Sequence, residues 1–172
     1  IMPAIMETWE AEDDRTAAIE ICQSFASCLN KCGPGLISPQ WIEPTCQLTL
    51  QILEKKAPSQ IDPEADEDEE TEDSSEYESV LISAAMDLVG AMAYVLCDSF
   101  MTPMRQFLPL LCKYYSPGRS VTDRATAIGS LGEITVNMKR AITPFTQDIL
   151  AILSHAVGDE DASVRSNAAF AA

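Results

Sequence analysis

The feature that most constrains the fold of this chain is an internal repeat of roughly 40 residues. An arginine followed by small residues occurs at Arg124 and recurs one period later at Arg165, and a similar run begins one period earlier, at Ile82. Arg15 opens a further copy, and the longer gap between Arg15 and Ile82 fits an insertion between these two copies. A period of this length is typical of HEAT-type solenoids, whose helix pairs bury their apolar faces by stacking on one another.

Helical periodicity within the units supports this interpretation. Apolar residues recur at helical intervals on one face, as at Ile128, Leu131, Ile134 and Met138. We therefore predict an all-α fold, a right-handed HEAT-repeat α-solenoid of antiparallel helix pairs. The predicted helices span 13–31, 38–56, 76–98, 100–115, 121–138, 143–157 and the residues from 162 onward. We expect one HEAT-repeat segment of about four units, which are 1–31 (partial), 36–98 with an acidic loop at 57–76, 100–138, and 142–172 (truncated).

Two sequence signals predict where helices start. Ser75 with Glu78 has the Ser-x-x-Glu form of a capping box, and Ser120 with Asp123 is similar. Prolines near the start of several segments fit the first helical turn, where the missing N–H has no partner in any case. Gly90 and Gly132 lie one repeat length apart, so we expect both to let neighbouring helices approach closely.

Charge in this chain is concentrated in one place. Residues 61–78 contain eleven of its 27 acidic residues and no lysine or arginine, and the formal net charge of the whole chain is −16. A polyanion repels nucleic acid and attracts basic proteins in a salt-dependent way, so we expect no nucleic-acid partner. Residues 80–97 are apolar with a single charge at Asp87, which predicts a helix buried in protein and no membrane insertion.

The residues offer little support for an enzyme. His155 is the single histidine, so imidazole catalysis and a histidine metal site have no supporting motif, and we predict no catalytic residue and no cofactor. Cys22, Cys28, Cys32 and Cys46 lack the paired spacing of a zinc site, so we predict no metal site and expect buried free thiols.

Two interpretations of the acidic stretch remain open from the residues alone. It can be a solvated insertion that binds nothing, or it can collect the lysines and arginines of a basic partner. Asp87, Ala91 and Tyr94 share a helix face, and Glu133 falls on the matching face one unit later, so they extend the second interpretation. The candidate residues for basic cargo are Asp66, Glu67, Asp68, Glu69, Glu70, Glu72, Asp73, Glu76, Asp87, Tyr94 and Glu133.

The order of the acidic insertion, the KYYSP segment and the RSNAAFAA segment resembles the importin-beta (karyopherin-beta) family, and within it the beta-4 branch. The resemblance is good over 61–172 and weaker over 1–60. It implies a C-terminal piece of a nuclear import receptor that shuttles between cytoplasm and nucleus and binds basic segments of histones and ribosomal proteins. In such receptors Ran and Phe-Gly nucleoporins are partners of the whole protein, and we assign neither to these residues.

The resemblance also implies a structural role for two residues of the last unit. In the HEAT pattern an aspartate and an arginine bond between neighbouring units, and the matching positions here are Asp159 and Arg165. The alternative from another class is a HEAT-repeat scaffold or regulatory subunit whose acidic loop is only a solvated insertion. Such a scaffold is expected to use apolar patches, and its binding is expected to be nearly insensitive to salt.

Overall fold

A computed structural model of the chain describes residues 2–61 and 72–172, with side chains in the second range described from Glu76 onward. These residues form eight α-helices, three short 3₁₀ segments and no β-strand. The helices are α1 (Met2–Ala11), α2 (Arg15–Cys32), α3 (Pro39–Leu53), α4 (Glu72–Leu96), α5 (Met101–Tyr114), α6 (Val121–Met138), α7 (Thr146–Ala156) and α8 (Ala162–Ala171). The predicted all-α class with HEAT-like helix pairs is confirmed, while the handedness of the superhelix and the division into four units stay predictions.

Helix starts follow from side-chain caps in three places. Asp14 Oδ1 accepts from the Ala17 N–H at 2.8 Å at the start of α2, and Asp161 Oδ1 accepts from the Ser163 N–H at 2.8 Å at the start of α8. Ser120 Oγ accepts from the Asp123 N–H at 3.0 Å, so the predicted cap of α6 is present. Each of these oxygens satisfies an N–H that has no partner within the first helical turn.

The predicted start of α4 at Ser75 is wrong. The helix begins at Glu72, so Ser75 and Glu78 lie inside it and not at its start. Negative charge near a helix N-terminus is favoured by the helix dipole, which is consistent with an earlier start within the acidic run. Glu78 accepts instead from the side chain of Gln60 at 3.0 Å.

The chain divides into two compact units, Ile1–Leu88 and Val89–Ala172. In the first unit α1 packs against α3, and the buried Trp9 meets Phe25 of α2 edge to face with ring centroids 6.1 Å apart. In the second unit α6 packs against α5, α7 and α8. Its core includes Phe100 and Phe107, which stack at 5.9 Å and are fully buried. Aromatic pairs of this kind add stability beyond the area that they bury.

Two glycines let helices of the second unit approach closely. A Cβ on Gly132 of α6 would lie 3.1 Å from the Cβ of Ala171 on α8 and 3.4 Å from its Cα. A Cβ on Gly90 of α4 would lie 3.0 Å from a carboxylate oxygen of Glu133 on α6. Asn137 of α6 also donates to the Gly90 carbonyl at 3.2 Å. The expected role of both glycines in close helix packing is therefore observed.

The apolar run predicted to be buried lies in the helical stretch Glu76–Tyr114. By length and composition this stretch could cross a membrane, but 67% of its most apolar window is buried inside the protein. A mostly buried apolar helix is what the core of a HEAT-like fold requires. The sequence interpretation of this run as a core helix is consistent with that burial.

All six cysteines are free, but only Cys22 and Cys46 are buried. Cys28 and Cys32 are exposed on the last two turns of α2, so the expectation that the thiols are buried is wrong for them. Burial raises the pKa of Cys22 to about 12, and burial, followed by the nearby charge of Glu43, raises the pKa of Cys46 to about 12.

We predict that Gly132→Ala destabilises the chain by about 1 kcal/mol, because crowding against the α8 backbone outweighs the gain of roughly 1 kcal/mol in helix propensity. Gly90→Ala is the matched control, since the side chain of Glu133 can swing away and leave the propensity gain. Urea unfolding of both variants measures the difference. Equal stability of Gly132→Ala and the unmodified chain would contradict this account of the α6–α8 contact.

We also predict that a thiol-alkylating reagent at about pH 8 modifies Cys28 and Cys32 in the folded chain and leaves Cys22 and Cys46 intact. The thiolate is the reactive form, and a pKa of about 12 together with burial suppresses it at the two buried positions. Mass spectrometry of the digested protein, with and without denaturant, locates the modification. Labelling of Cys22 in the folded chain at the rate of Cys28 would overturn the assignment.

Candidate functional site

Hydrogen bonds and an ion pair join the residues at the two ends of the acidic insertion. We call this group the insertion clasp and define it as Lys55, Gln60 and Glu78. The Gln60 amide donates to Glu78 Oε1 and to the Ile52 carbonyl, both at 3.0 Å, and its oxygen accepts from the Ala57 N–H. Lys55 Nζ lies 3.4 Å from the same Glu78 oxygen. The clasp joins the residue immediately before position 61 to the second turn of α4, so it brings the two ends of the acidic stretch together.

Most of the predicted cargo residues of the insertion lie outside the described residues. These are Asp66, Glu67, Asp68, Glu69 and Glu70. Glu72 and Asp73 open α4, but their side chains also lie outside the described part. Glu76 is described, and it is exposed on the second turn of that helix.

The remaining cargo candidates lie on second helices of their pairs. Asp87 and Tyr94 of α4 and Glu133 of α6 are all exposed, and 43% of the Tyr94 surface is accessible. The predicted face of α4 is interrupted, because Ala91 is buried at 2% exposure. Asp87, Tyr94 and Glu133 are therefore exposed, and Ala91 does not contribute to an exposed face with them.

A second cluster of charged groups joins α6 to the loop between α7 and α8, and we call it the repeat junction, defined as Tyr115, Arg124, Asp159 and Glu160. Arg124 Nη2 donates to Asp159 Oδ1 at 3.2 Å and to Glu160 Oε1 at 3.1 Å. Tyr115 donates its hydroxyl to Asp159 Oδ2 at 3.3 Å. The Arg124 and Asp159 side chains are only 11% and 8% exposed, so this pair is shielded from solvent.

Asp159 is thus bonded to the preceding helix pair, whereas Arg165 is bonded within its own. Arg165 Nη1 donates to the carbonyls of Asp159 and Glu160 at 2.8 and 2.7 Å. Arg165 lies in the first turn of α8, directly after the loop between α7 and α8 that carries these carbonyls. Asp159 is bonded to Arg124, which lies about one repeat earlier, and the expected role of Arg165 between neighbouring units stays a prediction.

Arg15 makes a related contact in the first unit. Its Nε donates to the carbonyl of Ser59 at 3.1 Å, 44 residues along the chain. Ser59 lies in the short 3₁₀ segment that follows α3, so an arginine in the same repeat register again reaches the next helix pair. The acceptor is a backbone carbonyl here and a carboxylate at Asp159.

Hydrogen bonds set the ionisation of the repeat junction. The backbone N–H of Asp161 and the Arg124 side chain lower the pKa of Asp159 below its ordinary value of 3.8. Burial, followed by the charge of Asp159, raises the pKa of Tyr115 above its ordinary value. Asp159 is therefore a carboxylate and Tyr115 a neutral donor at pH 7.

Sequence reasoning did not select Arg124 and Tyr115 as partners of Asp159. The signal was nevertheless present, because Arg124 and Arg165 are separated by one repeat length. A rule that pairs each arginine with the aspartate of the following unit would have paired Arg124 with Asp159. The position of Tyr115 just after α5 carries no comparable periodic signal.

The repeat junction borders a cavity of about 680 Å³ in the second unit. Its lining combines the junction with the loop between α5 and α6 and one face of α7, including Ile152 and His155. His155 is exposed, and within residues 2–61 and 72–172 no group of three or more histidine, cysteine or acidic side chains is placed to hold a metal ion. The cavity is therefore a mixed polar and apolar surface, with the largely shielded side chain of Arg124 as its main positive group.

Comparison with known proteins identifies relatives over the whole chain. The Probable importin subunit beta-4 of Schizosaccharomyces pombe is 34% identical over 133 residues, which cover 73% of this chain and 12% of the relative. Importin-4 of Homo sapiens and Importin-4 of Mus musculus are each 28% identical over 172 residues, covering 99% of this chain and 16% of each relative. No protein-family model matches the chain. The chain thus spans about one sixth or less of the length of these relatives.

We predict that Asp159→Asn lowers the melting temperature at pH 7 by roughly 4 °C, because it weakens the ionic bond to Arg124. The pKa of Asp159 is lower in the folded chain than its ordinary 3.8, so its contribution is complete above 3.8 and disappears as pH falls through the folded value. The difference between variant and unmodified chain should therefore shrink below about pH 4. Thermal unfolding monitored by circular dichroism from pH 7 to pH 3 tests this.

The exposed Asp13 provides the control, since Asp13→Asn removes a carboxylate away from the junction. This control is expected to unfold like the unmodified chain at pH 7. A melting difference for Asp159→Asn that stays constant down to pH 3 would contradict the ionic role.

Proposed function

Because this chain belongs to the importin-beta family, in its importin-4 branch, we propose that it is part of a nuclear import receptor and that its acidic insertion captures basic segments of cargo. The cargo class is that of lysine-rich and arginine-rich segments in histones and ribosomal proteins. Binding by the whole receptor to Ran and to Phe-Gly nucleoporins, and shuttling between cytoplasm and nucleus, belong to the same proposal. The role is that of a transport receptor, and no catalytic step is part of it.

The concentration of charge carries the proposal. Eleven acids without a lysine or arginine in residues 61–78 create a local negative potential that no other stretch of this chain matches. Such a field raises the encounter rate with basic segments and repels nucleic acid. The candidate residues within it are Asp66, Glu67, Asp68, Glu69, Glu70, Glu72, Asp73 and Glu76.

The insertion clasp fixes the two ends of the acidic stretch. Gln60 and Glu78 are hydrogen-bonded to each other, and Gln60 is also bonded to the end of α3. Both ends of the acidic stretch are therefore anchored to the first unit. The conformational entropy of these ends is already lost in the free protein, which lowers the entropic cost of binding a partner. A partner's basic side chains then meet many carboxylates at one place.

Tyr94, Asp87 and Glu133 supply a second type of contact in this proposal. An exposed tyrosine ring accepts the aliphatic stem or the charged end of a lysine or arginine, and exposed carboxylates pair with the charge. Each such pair is weak in water. They act as secondary contacts beside the insertion and adjust selectivity among basic segments.

The mechanism is reversible electrostatic capture. Exposed ion pairs are screened with a Debye length of about 8 Å at physiological ionic strength, so the affinity falls as salt rises. Release therefore needs no covalent step. A scaffold that contacts partners through apolar patches would show little dependence on salt.

The experiment is binding of a fluorescent lysine-rich histone-tail peptide to the 172-residue chain, followed by anisotropy at about 0.05 M and about 0.15 M salt. In the test variant Glu67, Asp68, Glu69 and Glu70 become Gln or Asn. We predict a loss of affinity of at least roughly tenfold at the lower salt, because several carboxylates that face the peptide are removed. The unmodified chain should lose affinity at the higher salt.

A matched control removes the same number of charges elsewhere on the described surface. Glu7, Glu10, Asp13 and Asp148 are exposed acids outside the insertion, and their replacement by Gln or Asn changes the net charge equally. This control should retain the affinity of the unmodified chain within about twofold. An equal loss of affinity in both variants would show that only the net charge matters. Equal affinity of all three proteins would favour the alternative in which the insertion is solvated and binds nothing.

A further inference from the structure

The loop between α5 and α6 presents a serine followed by proline on the surface of the second unit. Ser116, Pro117, Gly118 and Arg119 form a tight turn in which the Arg119 N–H donates to the Ser116 carbonyl at 3.1 Å. Gly118 has φ +90°, and a glycine with positive φ directly after proline is the order of a type II turn. Pro117 and Gly118 are exposed, so a second protein can reach this turn.

The Ser116 hydroxyl is accessible at the edge of the cavity. Its Oγ donates to the Lys113 carbonyl at 2.8 Å in an exposed hydrogen bond, which water can replace at little cost. Opening the turn breaks the bond from the Arg119 N–H to the Ser116 carbonyl and the bond from Arg124 to the Arg119 carbonyl, and Gly118 permits the extended backbone that a kinase binds. The serine is therefore on a segment that can enter another enzyme's cleft.

Proline-directed kinases select the order Ser-Pro-x-Arg, in which proline directly follows the acceptor serine and a basic side chain lies three residues after that serine. The sequence contains this pattern a second time, at Thr102 to Arg105. That copy lies in the first turn and a half of α5, where Pro103 and Met104 are buried. A helical, half-buried copy cannot extend without unfolding α5, so the structure separates the two matches.

Arg124 is the cation that a phosphate on Ser116 would meet in the cavity. Both residues line the same cavity. Arg124 Nη1 donates to the Arg119 carbonyl at 2.9 Å, and Nη2 donates to the carboxylates of Asp159 and Glu160. Its Nε–H is buried and has no hydrogen-bond partner among the described residues. A buried donor without a partner is costly, so an acceptor delivered to it is stabilised.

We propose that Ser116 is a phosphorylation site for a proline-directed serine/threonine kinase, and that its phosphate is bound by the Nε–H of Arg124. In the reaction the Ser116 oxygen forms a bond to the γ-phosphorus of ATP, the bond from that phosphorus to ADP breaks, and the hydroxyl proton passes to the kinase's base. The added group carries a charge of about −1.5 to −2 at pH 7.

The phosphate changes the repeat junction, because Asp159 and Glu160 face the same arginine. A dianion near Arg124 competes with both carboxylates, and Glu160, whose side chain is 84% exposed, is displaced first. Phosphorylation of Ser116 thereby regulates the contact between two neighbouring helix pairs. This inference is independent of cargo binding at the acidic insertion.

The first test incubates the chain with ATP and a cyclin-dependent kinase and locates phosphate by mass spectrometry. We expect transfer to Ser116 and none to Thr102, no product at this position for Ser116→Ala, and transfer slowed roughly tenfold for Arg119→Ala. Absence of phosphate on Ser116, or transfer to Thr102 at a similar rate, would overturn the proposal.

The second test measures the pKa of the bound phosphate by phosphorus NMR titration of the phosphorylated chain. Arg124→Gln is expected to raise that pKa by at least about half a unit, whereas Lys113→Gln, which removes a neighbouring exposed cation, leaves it nearly unchanged. Arg124→Lys keeps the positive charge but lacks the Nε–H, so it replaces Arg124→Gln if that variant does not fold. Its phosphate pKa should lie between those of the unmodified chain and Arg124→Gln. Equal phosphate pKa values in all these proteins would refute binding by Arg124.

Discussion

Close approach of the second helix of one pair to that of the next is the contact on which the second unit of this chain depends. Glycine at positions 90 and 132 removes the side chain where α6 meets α4 and α8, and asparagines of α6 and α8 reach carbonyls 47 and 42 residues away. Because these backbone carbonyls are already helical, each asparagine fixes the register of one helix on another. The separation of 42 residues between Asn167 and Ala125 equals the repeat length in the sequence, so this contact joins equivalent helices of neighbouring units.

Charge is used in two physically different ways in this molecule. At the repeat junction a guanidinium and a carboxylate are shielded from water, share further hydrogen bonds and hold two helix pairs together. In the acidic insertion the charges are unbalanced, and their proposed value lies in a partner that supplies the opposite sign. The first arrangement depends on geometry, since Arg124 must face three acceptors at once. The second depends on the density of charge and tolerates many sequences.

The sequence predicted the helices well because their signals are local and repeated. Residues 121–138 were assigned as helix from the apolar spacing and the Ser120 cap, and α6 has those bounds. The start of α4 was misplaced because a capping pattern within an acidic run has a competing explanation in the helix dipole. The HEAT pattern predicts a bond between units for Asp159, but it does not name Arg124 or Tyr115 as the partners that the structure shows. Burial of Ala91 depends on a neighbouring helix, which single-helix periodicity does not describe.

The shielding of Arg124 and Asp159 has a consequence for how the molecule responds to ionic strength. Salt screens exposed charges over about 8 Å at physiological ionic strength but acts weakly on a pair with side chains 11% and 8% exposed. Rising salt therefore weakens attraction at the surface while the joints between helix pairs keep their strength. The proposed capture of a basic partner at the acidic insertion is therefore reversible by salt without loss of the Arg124–Asp159 pair that joins α6 to the loop between α7 and α8.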